Sequence, residues 1–381
     1  MSAQPKLFES IQFGSLSLSN KIIIEQMCQY SATDQGEVTY WHEQQWASYA
    51  LSGASLCIIE ATAVQAEGRI SYADVGLWND TQRDQIKALL NKVKSIAPTP
   101  FAIQLAHAGR KASTEKPWLV KQGKGQIAPD HAHGWQTVSA SDIAFSPNDI
   151  APHELTIDEI KIIIQDFAQA AIRAVDAGFS LIEIHAAHGY LLHQFMSPLS
   201  NHRTDEYGGS FENRIRFTLD VFQAIQAVVP KDYPLGVRIS ATDWMDAENS
   251  WNIQSSIDLS KALEQIGAVY IHVSSGGLHV QQDIKIGENY QVPFAQAIKE
   301  QVNIPVITVG LITEAEQAEY ILQNNEADAI GLARAILYDP RWVWHAAAKL
   351  GAQVAVAPQF LRCQPHGLKD LFTVFKMNHE L

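Results

Sequence analysis

Leu181-Ile-Glu-Ile-His185-Ala-Ala-His188-Gly-Tyr190 passes from an apolar, β-branched run into two histidines, a glycine and a tyrosine. The run reads as a buried strand, and Gly189 lets the backbone turn tightly just beyond it. Three groups able to donate protons therefore leave one strand end together. Imidazole N–H groups can hold an anionic oxygen, and a phenol can hand over a proton. That combination suits a carbonyl compound whose oxygen gains charge while a neighbouring carbon takes a proton. Two other readings stand beside it: a histidine pair in a polar loop, and half of a metal site.

The same theme recurs along the chain. Short apolar runs that read as buried strands lie at 21–25, 56–61, 101–105, 181–185, 235–240, 269–274, 306–309 and 329–333. Segments with helical periodicity lie between or after them, at 41–52, 81–96, 157–177, 214–229, 255–266, 294–301, 314–323 and 341–350. Near-continuous apolar strands alternating with amphipathic helices imply an α/β protein with a parallel sheet covered by helices. Eight such units predict a closed (β/α)8 TIM barrel. The competing doubly wound sheet lacks a G-x-G-x-x-G at its first βα turn.

Residues 8–18, around Gly14, predict a small N-terminal β-hairpin, and Gly178, Gly267 and Gly351 sit where helices should stop. Residues 107–153 have little helical period and predict a long lid insertion after strand 3; 196–211 is a second excursion. With no linker or low-complexity stretch, the expectation is a single domain over 1–381, ending in a tail at 355–381.

Composition narrows the function classes. A net charge of −13 argues against nucleic acid or an anionic membrane as the main partner. Cys28, Cys57 and Cys363 are too few and too scattered for a disulfide framework or a cysteine-ligated cluster. The N-terminus has no apolar signal core, and no apolar run approaches the length of a membrane span, so a cytoplasmic protein is expected.

Barrel enzymes carry their sites at the C-terminal strand ends. Those ends deliver Gln26-Met27-Cys28-Gln29-Tyr30, Ala61-Thr62, Gln104 with His107, the opening histidines with Tyr190, Arg238 with Asp243, Ser274-Ser275-Gly276-Gly277, Gly310, and Ala333-Arg334. Backbone N–H groups of the last loops, with Arg334, suit a phosphate. Gln104 and Arg238 suit a planar heterocycle across the barrel mouth, so FMN fits more readily than a free metal. The metal alternative would collect His107, His185, His188 and His193 with Glu183 or Asp205.

Longer stretches also resemble a known family. Met27-Cys-Gln-Tyr30, Glu60-Ala-Thr-Ala63, Gln104-Leu-Ala-His-Ala-Gly-Arg-Lys111 and Glu183-Ile-His-Ala-Ala-His-Gly-Tyr190 look like old yellow enzyme flavoproteins. So do Ser197-Pro-Leu-Ser-Asn-His-Arg-Thr-Asp-Glu-Tyr-Gly-Gly-Ser210, the run to Asn213-Arg214, and Tyr290-Gln-Val-Pro-Phe294. The likeness runs from about residue 7 to 362, and Cys28 with Tyr30 resembles the thermophilic-like branch of ene-reductases.

The resemblance implies non-covalent FMN, reduced by NADPH or NADH, that passes hydride to the β-carbon of an α,β-unsaturated carbonyl or nitro compound. It implies that His185 and His188 hold the substrate oxygen, that Tyr190 protonates the α-carbon and that Tyr30 helps bind substrate. Cys28 is then the residue that tunes the flavin. Glu25, Gln26, Met27, Ala61, Gln104 and Arg238 stand beside the ring, and Gly310, Ala333 and Arg334 hold the phosphate. Arg362 is implied to reach a neighbouring subunit's site, which makes a homo-oligomer expected.

The chain departs from the family at Glu25 and Gln26, where a small residue and a proline are usual, and in the tail beyond Arg362. An inward Glu25 carboxylate is expected to make the flavin harder to reduce. The alternatives are a flavin-binding barrel that has lost turnover and acts as a redox sensor, and a metal-dependent hydrolase.

Overall fold

The structure, a computed structural model, describes residues 4–120, 125–245 and 249–376. The last residues of the expected tail, 377–381, and part of the expected lid, 121–124, lie outside these.

Eight parallel strands close into a barrel: β1 Ile22–Glu25, β2 Leu56–Ala63, β3 Phe101–Ala106, β4 Leu181–Ala186, β5 Leu235–Ser240, β6 Ile271–Ser274, β7 Val306–Thr308 and β8 Ala329–Leu332. Each strand pairs with its neighbours in sequence, and β8 returns to β1, Ile330 opposite Ile22. Among the described residues the eight longer helices are α1 Tyr40–Ala50, α2 Asp80–Lys94, α3 Ile157–Ala177, α4 Phe211–Val228, α5 Ile253–Gln265, α6 Val292–Lys299, α7 Ala315–Gln323 and α8 Trp342–Leu350, with short helices at Leu191–Met196 and Arg334–Tyr338 after β4 and β8. The expected TIM barrel is the observed one. Helix ends follow local chemistry. Thr156 and Glu159 form a reciprocal cap at the start of α3, and Gly178 ends that helix at a φ of 95°.

Strand periodicity sorts the side chains. On β4, Ile182, Ile184 and Ala186 join the apolar cluster under the helices, whereas Leu181 belongs to a second cluster inside the barrel. That inner cluster holds Ile23, Ile58, Ala102, Leu181, Tyr270, Ile307 and Ala329, and forms an apolar floor. The expected hairpin, Ile11–Phe13 with Leu16–Leu18, inserts Phe13 and Leu18 into it. The Phe13 ring lies 4.7 Å from that of Tyr270. Above the floor, five of the next inward positions are polar: Glu25, Gln104, Glu183, Arg238 and His272.

One irregularity re-aims a side chain. The β2–β3 register slips between Ile59 and Ala61, a bulge that gives β2 one extra residue. Glu60 turns outward to His42 of α1, at 3.3 Å, and accepts from the Gln29 N–H. Ala61 is left facing the barrel mouth.

The region 107–153 holds single 3-10 turns at Gly109–Lys111 and Pro117–Leu119, and Val138–Ser139 pairs in parallel with His153–Glu154. In the tail, Val354–Val356 pairs in parallel with Phe372–Val374. Arg362 and the free, exposed Cys363 lie on the 3-10 segment Pro358–Cys363 between them. Among the described residues no helix is long and apolar enough to cross a membrane.

Because Phe13 is fully buried at the floor, Phe13→Ala should lower the stability by about 3–5 kcal/mol. Equilibrium denaturation measures the loss, and an unchanged midpoint would mean the hairpin is not part of the cooperative core.

Candidate active site

At the C-terminal mouth a cavity of about 500 Å³ gathers residues from all eight strands or the loops after them. Its wall includes Glu25, Gln26, Met27, Cys28 and Tyr30 after β1, Ala61 of β2, Gln104 of β3 and His185, His188 and Tyr190 of and after β4. Arg238, Ser274, Gly310, Ala333 and Arg334 complete it. Every residue to which the family likeness assigns a role lines this one cavity except Arg362, which stands outside it.

The turn after β4 is built for close approach. His188 has a φ of 57° and Gly189 of 72°. A Cβ on Gly189 would stand 2.2 Å from the Gly277 carbonyl oxygen, and one on Gly277 2.5 Å from the His188 backbone. Only glycine lets these two loops touch. Ser240 Oγ accepts from the His188 N–H at 2.9 Å, and Ser274 Oγ lies 2.7 Å from His188 Nε2, fixing the ring. The rings of His185 and Tyr190 are 5.1 Å apart, as are those of His185 and His188. Lys111 clamps the pair of loops, donating to the carbonyls of His188 (2.7 Å) and Gly277 (2.8 Å), with its ammonium 5.0 Å from the Tyr190 ring centre.

Burial, then Arg238, push both imidazoles well below their usual range, so they are neutral. Burial also raises Tyr190 and Tyr30, which keeps both phenols protonated. Desolvation raises the Cys28 thiol well above its usual range, with Asp74 and Glu60 adding to it. Burial brings Asp74 up to about 7. The site thus presents neutral donors.

Beneath it, Arg238 Nη1 donates to Glu25 Oε2 at 2.9 Å. Glu183 accepts from Gln104 Nε2 (2.6 Å), the Tyr270 hydroxyl (3.0 Å) and His272 Nδ1 (3.0 Å). Glu25 points inward, and it is paired rather than bare.

The metal alternative fails on geometry. His193 sits 3.0 Å from the buried Asp243, His107 hydrogen-bonds Gln65, and Asp205 pairs with Arg203. Neither His107 nor Asp243 reaches the cavity, and Thr62, Gly276 and Gly277 also stand outside its wall. The ligand atoms of Glu25, Glu183 and His272 do lie within 4.8 Å of one another, but the cation serving them is Arg238. Lys111, which resembles an ordinary solvated loop lysine in the sequence, instead stands behind the wall, half-buried against the Tyr190 ring and the His188 and Gly277 carbonyls. Trp118 is 63% exposed, yet it meets the Tyr30 ring edge-on at 6.0 Å. Trp135 packs on Arg69. Tyr290 and Gln291 line the cavity without being assigned a role in the sequence reading; their only signal was the Tyr290–Phe294 stretch.

Residues 6–353 match the family described as NADH:flavin oxidoreductase / NADH oxidase. The chain is 42% identical over 358 residues to an NADPH dehydrogenase of Bacillus velezensis, covering 94% of this chain and 98% of that one. An NADPH dehydrogenase of Bacillus subtilis is 40% identical over the same shares. Among solved structures, morphinone reductase superposes with a TM-score of 0.73 at 26% identity, over 99% of this chain and 96% of that one.

Lost hydration, then the neighbouring Arg110, lower Lys111 to about 7 from the ordinary lysine value of 10.5. Between those values the unfolded chain holds a proton that the folded chain has released, so this residue's cost to stability is full below about pH 7 and fades as pH rises. The stability difference between wild type and Lys111→Met should therefore shift in favour of the wild type from about pH 7 to pH 9. Denaturation at several pH values measures it; a flat difference would show that Lys111 titrates normally.

Proposed function

We propose a mechanism on one premise: the chain belongs to the NADH:flavin oxidoreductase / NADH oxidase family, the old yellow enzymes, and is an FMN-dependent, nicotinamide-driven oxidoreductase of the ene-reductase type. The observation that carries the reading of the site is the convergence of His185, His188 and Tyr190 with Gln104, Arg238 and Arg334 around one cavity.

Support for FMN in this cavity comes from its volume and from polar atoms that no protein group satisfies. Both side-chain atoms of Gln26, Arg238 Nε and His185 Nδ1 are buried without a hydrogen-bond partner. A heterocycle edged with nitrogen and oxygen supplies what they lack. In this reading Gln26, Gln104 and Arg238 hold the ring, the Gly310, Ala333 and Arg334 end holds the phosphate, and Met27, Cys28 and Ala61 pack beside them. When bound, FMN accepts hydride from NADPH or NADH and delivers it to the substrate's β-carbon.

The chain's own residues do the rest. His185 and His188 hold the carbonyl or nitro oxygen of the activated alkene; as neutral imidazoles they donate without carrying a charge of their own into the site. Tyr190, kept protonated by burial, gives its hydroxyl proton to the α-carbon. Tyr30 closes the substrate side with Trp118 at its edge. Cys28 tunes the ring's potential from the wall, as in the thermophilic-like branch. We assign Arg362, exposed and outside its own cavity, to the mouth of a neighbouring copy in a homodimer or homotetramer, and the protein to the cytoplasm.

The purified protein should be yellow, bleach with NADPH under anaerobic conditions and recolour with 2-cyclohexenone. Bleaching without recolouring would leave a flavin-binding barrel that has lost turnover. Tyr190→Phe should slow recolouring about 100- to 10,000-fold while sparing bleaching; equal loss in both steps would remove Tyr190 as the proton donor. Light scattering should give an oligomeric mass, and a fully active monomer would remove the role assigned to Arg362.

A further inference from the structure

The charged layer under the mouth holds two buried carboxylates, one guanidinium and one imidazole. Glu25, Glu183 and His272 are at most 2% exposed. The two carboxylates are not equivalent. Glu183 accepts three hydrogen bonds, from β3 and β6. Glu25 accepts one, from Arg238; its Oε1 lies 3.1 Å from His272 Nδ1, but the His272 N–H is committed to Glu183, and Oε1 has no hydrogen-bond partner. Glu25 and Arg238 both line the cavity wall. A negative charge placed in that cavity therefore competes with Glu25 for a single guanidinium in a site of low polarity, where two anions on one cation are costly.

From this geometry we propose that Glu25 is a redox-linked proton site: a carboxylate paired with Arg238 while the ring is oxidised, and a carboxylic acid while it is reduced. The proposal rests on the flavin reading above. Hydride from the nicotinamide brings two electrons and one hydrogen nucleus, leaving one negative charge on the ring. A proton from solvent goes to Glu25, forming its O–H bond. Ring, Glu25 and Arg238 then sum to zero before and after: 0, −1 and +1 become −1, 0 and +1. On substrate reduction the hydride leaves the ring and Glu25 returns its proton to solvent.

The groups around Glu25 leave it as the acceptor. From β4, Glu183 is held below its usual range: burial raises it, but His272, Arg238 and Gln104 outweigh that. His185, also on β4, is neutral. From β6, burial and then Arg238 hold His272 down at about 4, and burial raises Tyr270, so neither exchanges a proton near neutrality. On β2, burial and then Glu25 raise the Cys57 thiol. The inward residues Ile307 of β7 and Gly331 of β8 carry no titratable group; Gly331 leaves Glu25 its room, since a Cβ there would stand 3.1 Å from Glu25 Cγ. Burial, then Glu183, raise Glu25 well above the carboxylate range against the pull of Arg238. A neutral Glu25 is therefore within reach.

Equilibrium redox titration of the flavin-loaded protein across about pH 5 to 9 counts protons per two electrons from the slope of potential against pH. Wild type should take up one proton more than Glu25→Gln over the range where Glu25 ionises; coincident slopes would overturn the proposal. A reduced-minus-oxidised infrared spectrum of the wild type needs no variant. It should gain a protonated-carboxyl band that shifts in D2O, and absence of that band would also overturn it. Protein that binds no flavin, or flavin that NADPH does not bleach, would instead refute the flavin reading itself.

Discussion

The contact between Arg238 and Glu25 sets the terms for the whole barrel interior. A carboxylate with almost no exposed surface is tolerable only beside a cation or as a neutral acid, and a guanidinium facing a ligand cavity is available only in part if a carboxylate already holds it. Much else follows from keeping this pair in place. Gly331 leaves room for the Glu25 side chain, and His272 turns its N–H to Glu183. Tyr270 joins the apolar floor to the polar layer through its hydroxyl. Remove Glu25 and Arg238 turns wholly toward the ligand; remove Arg238 and a buried carboxylate has no counter-charge.

The site above depends on the same alternation of side chains. β4 places Leu181 in the floor, Glu183 in the charged layer and His185 in the mouth, three successive inward positions with three different tasks. Around the mouth, the bulge in β2 turns Glu60 away toward His42 and leaves the small Ala61 at the wall, so a planar ligand meets a methyl group and not a third carboxylate. The paired glycines at 189 and 277 bring the β4 and β6 loops into backbone contact, and Lys111 ties both. His188 is thus positioned by three elements at once.

Much of this was legible in the sequence, because strand ends and inward positions follow a period of two and barrel chemistry gathers at one rim. The eight strands, their main helices and most of the cavity residues from Gln26 to Arg334 could be placed on that basis, whereas Tyr290 and Gln291 could not. What escaped it depends on where loops return. Lys111 looks like any loop lysine until the fold sets it against His188 and Gly277. His272 reads as one residue of a short strand and gains its meaning only from Glu25 and Glu183, far away in sequence. The separate fates of His107, beside Gln65, and His193, beside the buried Asp243, could not be told from spacing. Arg362 is the converse case: the likeness to a family gives it a role that its own chain does not display.

The apolar floor has a consequence for traffic. Phe13 and Leu18 pack into the N-terminal end and the Tyr270 ring meets Phe13, so among the described residues an apolar floor closes off that side of the charged layer, while Glu25 and Arg238 face the mouth. Whatever fills the mouth becomes the door. A planar ligand seated there would not only use the layer beneath but would govern when solvent can reach it, so that an empty barrel and a loaded one differ in how fast their interiors exchange with water as well as in what they bind.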